Sequence, residues 1–262
     1  MCIPRPLQGA ESEYVMLLGL RHWVRRQMFD PSLAGVFVNP FFLARRALAK
    51  AMRQAAHQVR GRVLDVGCGQ KPYLSFFDVS DYVGLEVDTP ESRSKKQADF
   101  FYDGKTFPFG NAEFDSVLCN QVLEHVFEPD EFLSELHRVL KQGGTLVLTV
   151  PFVWDEHEQP FDFARYSSFG LKHLLAKHGF TIEYQMKTCA DLSVLCQLFN
   201  AYVFKVTQTR HSLLNLLLTT LLMAPFSIGG LLTSWILPKN PDLYLDNVLV
   251  ARKAAQARGS AT

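Results

Sequence analysis

Cysteine is scarce and has no paired spacing. Of 262 residues only Cys2, Cys68, Cys119, Cys189 and Cys196 are cysteines, odd in number and scattered. That excludes a zinc ribbon and a dense disulfide framework, fits a reducing cytoplasm, and leads to no metal being expected. The N-terminal region lacks the basic, apolar, small-residue order of a secretory signal. Tyr14–Leu20 is brief and is followed, not preceded, by charges, so secretion is not expected. No internal repeat is present, and low complexity is confined to Ala254–Thr262, where disorder is expected. Net charge is nearly absent, at +1, but it is unevenly spread. Arg5, Arg21, Arg25, Arg26, Arg45, Arg46, Lys50, Arg53, Arg60 and Arg62 stand against only Glu11, Glu13 and Asp30 in the opening stretch. That arm lacks the interleaved aromatics that stack on bases, which argues against a nucleic-acid partner.

What is present begins with Arg62–Gly69, R-V-L-D-V-G-C-G. A short apolar run ends in an acid and then in glycines that leave backbone exposed, as suits a buried parallel strand feeding a tight turn against a nucleotide-like ligand. About twenty residues on, Asp81–Asp88 is a second β-rich run ending in acids, where ribose-binding carboxylates sit in dinucleotide folds. Phe114–Cys119, the amphipathic Pro129–Lys141, Gly143–Val150 and Phe180–Lys187 continue the alternation of strand and helix. Such alternation predicts a parallel sheet wrapped by helices.

At this point the chain resembles the class I S-adenosylmethionine-dependent methyltransferases, type 11 group. The resemblance is carried by V-L-D-V-G-C-G at Val63–Gly69, G-L-E at Gly84–Glu86, D-G-K-T-F-P-F at Asp103–Phe109 and F-D-S-V at Phe114–Val117. It continues through L-E-H-V at Leu123–Val126, F-L-S-E-L-H-R-V-L-K-Q-G-G at Phe132–Gly144 and V-L-V-A-R-K at Val248–Lys253. It covers residues 60–187 and then only the last strand. It implies an α/β fold, a Rossmann-like seven-stranded methyltransferase sheet, to which this chain adds N-terminal helices and a helical apolar insertion between strands 6 and 7. It further implies S-adenosyl-L-methionine as cofactor.

That cofactor presents a cationic sulfonium, an amino-acid end, a ribose diol and an adenine. The resemblance assigns Gly67, Cys68 and Gly69 to close backbone approach, Asp65 to the loop and the ammonium, and Glu86 to the ribose, with Asp88 as the alternative. Asp103 falls where the family accepts from the adenine amino group. Asn120 and Gln121, ending the fourth strand, are expected to line the floor beneath the sulfonium. Cys68 and Cys119 are read as packing thiols.

Methyl transfer needs alignment more than a protein nucleophile, and a hydroxyl acceptor also needs a proton sink. His125, in L-E-H-V, and His157 are the candidates, although His125 could equally cap a helix. His157 opens H-E-Q-P-F-D-F-A-R-Y directly after the fifth strand. This segment resembles the acceptor-side loop of type 11 members of glycan and lipid-linked sugar pathways. Asp162 and Arg165 could alternatively form a pair that merely fastens the loop.

Asn39-Pro40 reads as the start of a helix over Phe41–Val59, whose clustered arginines suit either solvent or an anionic lipid surface. Residues 1–59 are then a basic helical extension, 60–253 the catalytic domain with an insertion over 192–240, and 254–262 a tail. Ser212–Leu237 has no charged residue. Pro225 and Gly229-Gly230 are expected to split it into two arms, each ~18 Å long against a ~30 Å hydrocarbon core. Since Asn247–Arg252 must rejoin the sheet, a shallow hairpin at a membrane surface is expected, or one packed on its own sheet or in a homodimer.

The expected function is O-methylation of a small-molecule sugar or lipid-linked glycan by a cytoplasmic enzyme peripheral to the inner face of the membrane. Alternatives are a lipid or quinone-like acceptor, or a non-catalytic membrane-peripheral protein retaining the cofactor fold.

Overall fold

The computed structural model describes residues 8–95 and 97–254. The tail expected to be disordered, residues 255–262, lies outside the described residues.

The strands are β1 (Arg62–Val66), β2 (Asp81–Val87), β3 (Phe100–Tyr102), β4 (Phe114–Asn120), β5 (Leu140–Pro151), β6 (Phe180–Lys187) and β7 (Asp246–Lys253). They form one seven-stranded sheet in the order β3-β2-β1-β4-β5-β7-β6. β1 to β5 pair in parallel, while β7 runs antiparallel between β5 and β6. Adjacent residues explain why these strands read as unbroken apolar runs. Leu64, Val117, Leu146 and Leu249 enter one core cluster, whereas their neighbours Val63, Leu118, Val147 and Val250 enter the cluster on the opposite face. Both faces are therefore covered, as parallel sheets require.

Helix α2 (Phe42–Ala56) covers the Val63 face through Leu48, Met52 and Ala55. The Leu64 face is covered by α4 (Pro129–Val139) and α5 (Ser168–Lys177). α4 opens with proline in its first turn, carries Asp130 and Glu131 there, and ends with His137 and Arg138, so charge and macrodipole agree at both ends. α1 (Gln8–Phe29) and the short α3 (Pro90–Lys95) complete the order up to the insertion.

The insertion is α6 (Ser193–Thr207) followed by α7 (Ser212–Ile236). Here the expectation fails in one respect: α7 is a single 25-residue helix, not two arms broken at Pro225. The reason is local. A widened π-type turn, Thr219–Met223, immediately precedes Pro225 and absorbs the missing N–H and the ring's steric demand. Asn200 of α6 donates to the Met223 carbonyl at 3.2 Å and to Ser227 Oγ at 2.9 Å. The chain instead reverses between Thr207 and Ser212. At ~37 Å, α7 is long enough to cross a bilayer, but β7 returns to the sheet that β6 left, and α6 is only ~22 Å long.

The hairpin is fastened to α2. An added Cβ at Gly230 would lie 2.7 Å from Leu43 Cδ1 and 3.2 Å from Cys196 Cβ, so glycine permits the close approach. Gln197 Oε1 accepts from Ala44 N at 3.1 Å, and its Nε2 donates to Pro40 O at 3.2 Å. The outer surface is apolar and unpartnered among the described residues: Trp235 is 92% exposed and Leu213 81%.

Candidate functional site

β1 ends in Val66, and the chain turns at once through Gly67 and Gly69, with φ of +69° and +54°. Both lie in the left-handed region that favours glycine. An added Cβ on Gly67 would stand 2.3 Å from Val122 Cγ2, so glycine is required there for space as well as for conformation. The turn is held from β2, because Gly67 N donates to Leu85 O at 2.9 Å and Gly69 N to Glu86 Oε2 at 3.0 Å.

This turn borders a cavity of about 740 Å³ at the carboxyl ends of the parallel strands. Asp65, Gly67, Cys68, Gly69, Asn120, Gln121, His125 and His157 all line it. Glu86 is not in the lining and meets the turn through Gly69. Asp103 lies outside as well, its carboxylate accepting from Lys105 N and Thr106 N of its own turn at 2.9 and 3.0 Å. Asp88, the alternative to Glu86, follows the end of β2 and pairs with Arg93 at 2.6 Å.

Asp65 is buried against the cavity, and Tyr82 OH donates to its Oδ2 at 2.6 Å. Desolvation raises its pKa to about 7, with the Tyr82 hydrogen bond opposing. A buried carboxyl of this kind at a cavity wall suits an ammonium ligand. Burial also pushes the Cys68 thiol up to about 12 and the Cys119 thiol well above its usual range, so neither is an activated nucleophile.

Two groups on the cavity were not anticipated. Asp246, one residue before the expected last strand, is buried, accepts from Thr188 Oγ1 at 2.6 Å, and has its pKa raised by desolvation to about 6. Arg45, read from sequence as belonging to a solvated or lipid-facing stripe, is half-buried in the lining, with its guanidinium 5.4 Å from the Phe29 ring centre. Neither stands in a motif; tertiary folding alone brings them together.

The loop after β5 closes the other side of the cavity with Trp154, Asp155, His157 and Glu158. Arg165 grips Asp162 bidentately at 2.5 and 2.7 Å and donates to Asp155 O at 3.0 Å. That guanidinium holds the Asp162 carboxyl far below the usual range. Asp162 in turn accepts from His157 N at 3.0 Å and lies 3.3 Å from His157 Nδ1, so the pair fastens the loop and orients His157 together. The two readings of Asp162 and Arg165 are not exclusive. His125 does not cap α4. It ends a short 3₁₀ turn, with Nδ1 2.8 Å from Phe161 O, and its ring stands 4.8 Å from that of His157. Beneath them Glu124 is fully buried and without a hydrogen-bond partner on either oxygen, and burial raises its pKa to about 8.

A seven-stranded sheet with an antiparallel β7, a glycine turn after β1 and a cavity above it form the Rossmann-like fold of the class I methyltransferases. Residues 64–148 match the family model described as "Methyltransferase domain".

A probable S-adenosylmethionine-dependent methyltransferase of Mycolicibacterium smegmatis is 30% identical over 145 residues, covering 50% of this chain and 56% of that protein. A malonyl-[acyl-carrier protein] O-methyltransferase of Enterobacter lignolyticus is 27% identical over 114 residues, 41% of this chain and 45% of that one. The chain thus spans about half the length of these curated relatives. Among solved structures, the [4+2]-cyclase SpnF superimposes with TM-score 0.53 at 20% identity, covering 80% of this chain and 81% of that one. A S-adenosylmethionine-dependent methyltransferase from Mesorhizobium loti gives 0.51 at 15%, covering 80% and 99%. These likenesses establish the fold.

Proposed function

We propose that the protein is an S-adenosylmethionine-dependent O-methyltransferase acting on a hydroxyl of a sugar or lipid-linked glycan intermediate at the inner face of the membrane. One observation carries the reading: the glycine turn with Asp65 and the histidine cluster with its loop line the same cavity from opposite sides. When bound, S-adenosylmethionine supplies a methyl group on a cationic sulfur. Asp65 would hold its ammonium, the Gly67–Gly69 backbone would permit close approach, and Glu86 would serve the ribose. On the other side His125 and His157 face the acceptor hydroxyl, and His157 would take its proton. The oxygen–methyl bond forms as the sulfur–methyl bond breaks, so positioning carries most of the barrier reduction.

The lipid-linked part rests on α6. Phe204, Lys205 and Gln208 wall the cavity, and Lys205 pairs with Asp155 of the acceptor loop at 2.8 Å. The helix that shapes the site therefore shares a hairpin with the exposed apolar surface of α7. Arg210 and Lys239, just beyond the two ends of α7, suit an anionic headgroup layer. The apolar lining from Phe41, Leu48, Met52 and Phe204 also favours a second reading, a lipid or quinone-like acceptor.

Extracts given methyl-labelled cofactor distinguish these readings. The label is expected in a lipid-extractable product that yields a methylated sugar on acid hydrolysis. A labelled quinone or simple lipid supports the second reading, and label confined to protein or RNA contradicts both.

A further inference from the structure

The Glu124, His125 and His157 cluster has no role fixed by the glycine-turn side of the cavity, and its wiring is unusual. Glu124 is a carboxylate with no exposure and no hydrogen bond to either oxygen, a costly arrangement unless something absent from the protein atoms satisfies it. Its backbone is pinned, because the Glu124 carbonyl accepts from Phe163 N at 2.8 Å and Ala164 N at 3.2 Å. His125 uses Nδ1 on the Phe161 carbonyl, which leaves Nε2 to carry the lone pair, 3.8 Å from Glu124 Oε1. His157 uses Nδ1 on Asp155 O at 3.2 Å and Asp162 at 3.3 Å, which again leaves Nε2 as the lone-pair nitrogen. Outer carbonyl and carboxylate partners of this kind fix the tautomer of metal-binding imidazoles.

We propose that Glu124, His125 and His157 form a binding site for a divalent transition-metal ion of the zinc class, on the acceptor side of the cavity. Tetrahedrally arranged donors about 2.1 Å from one ion stand about 3.4 Å apart. The observed donors lie within 4.8 Å of one another, so each side chain must close in by about 1 Å to meet on an ion. Two imidazoles and one carboxylate suit a borderline divalent cation and leave coordination positions open. His125 and His157 open onto the cavity. On the methyltransferase reading above, the bound ion would take over from His157 the activation of the acceptor: a hydroxyl coordinated there loses its proton to solvent more readily. The alkoxide oxygen then takes the methyl group, and the sulfur leaves as a neutral thioether.

The site is tested on untagged, chelator-stripped protein titrated with zinc by calorimetry, and with cobalt by visible absorption. One zinc per chain at micromolar affinity or tighter is expected, together with cobalt d–d bands. Glu124→Gln, which keeps shape and removes the charge, and His157→Asn should each weaken zinc binding by at least about a hundredfold, since loss of a direct ligand exceeds the tenfold-to-hundredfold cost of disturbing its outer partners. Glu183→Ala, which pairs with Arg252 outside the cavity, should leave it unchanged, with fold monitored by circular dichroism throughout. Absence of one-to-one binding in the wild type, or folded variants that bind zinc as the wild type does, overturns the site. Zinc binding without cofactor binding would overturn only the methyltransferase reading, whereas unimpaired methyl transfer by metal-free protein would overturn the cation's role.

Discussion

At the residue scale, two side chains on opposite walls of the cavity give separate signatures. Asp65 is held protonated by burial up to about pH 7. Between the ordinary aspartate pKa and that value the folded chain keeps a proton the unfolded chain has lost, so Asp65 lowers stability as pH rises through this window. A cofactor ammonium reverses the preference by favouring the carboxylate. Binding should therefore release a proton between about pH 6 and 7, and affinity should rise with pH across that interval. Calorimetry in buffers of different ionisation enthalpy measures this directly; buffer-independent heats, or the same buffer dependence in Asp65→Asn, would exclude it. His157→Ala is expected to leave cofactor affinity nearly unchanged while lowering turnover by about 10²–10⁴-fold, the scale of acid–base assistance. A parallel loss of cofactor binding would assign His157 to the loop's structure instead. The glycine turn, Asp65 and His157 were legible because each stands in a local motif. Asp246, Arg45 and the isolation of Glu124 were not, since each follows from chain segments that meet only in three dimensions.

At the element scale, strands read as short apolar runs between acidic or glycine stops coincide closely with the structure. β6 occupies Phe180–Lys187, as its pattern predicts. Burial on both faces makes the inner strands β1, β4, β5 and β7 legible, whereas β6 lies at the sheet edge with only Phe180 buried. The insertion was harder. The lack of charge over Ser212–Leu237 marks α7 as a helix in need of cover, but Pro225 reads as a break until the preceding π-type turn is seen to absorb it. The two faces of α7 lead to opposite expectations. Gly230→Leu on the packed face should cost about 1–3 kcal/mol by overpacking against Leu43 and Cys196. Leu221→Glu with Trp235→Glu, at exposed positions, should change stability by no more than about 0.5 kcal/mol each. Thermal denaturation of the purified variants checks both. The same pair should abolish the salt-resistant fraction bound to anionic vesicles, since screening acts on charges and not on buried apolar side chains. A wild type that stays in the supernatant at low salt, or a dimer burying α7, would contradict membrane docking.

At the scale of the whole molecule, sheet, glycine turn and apolar hairpin compose one arrangement. The sheet presents its carboxyl ends to the cavity, the turn after β1 serves one side, and the β5 loop, strapped by Lys205 of α6, serves the other. The central claim is that this cavity binds S-adenosylmethionine through the Gly67–Gly69 turn, and titration calorimetry with the cofactor and its demethylated product tests it most directly. The wild type should bind one equivalent of each. Gly67→Ala, whose Cβ would stand 2.3 Å from Val122, should lose that binding while a far-ultraviolet spectrum still reports a folded sheet. Absence of heat for either ligand at protein concentrations well above micromolar, or undiminished binding by Gly67→Ala, would contradict the account.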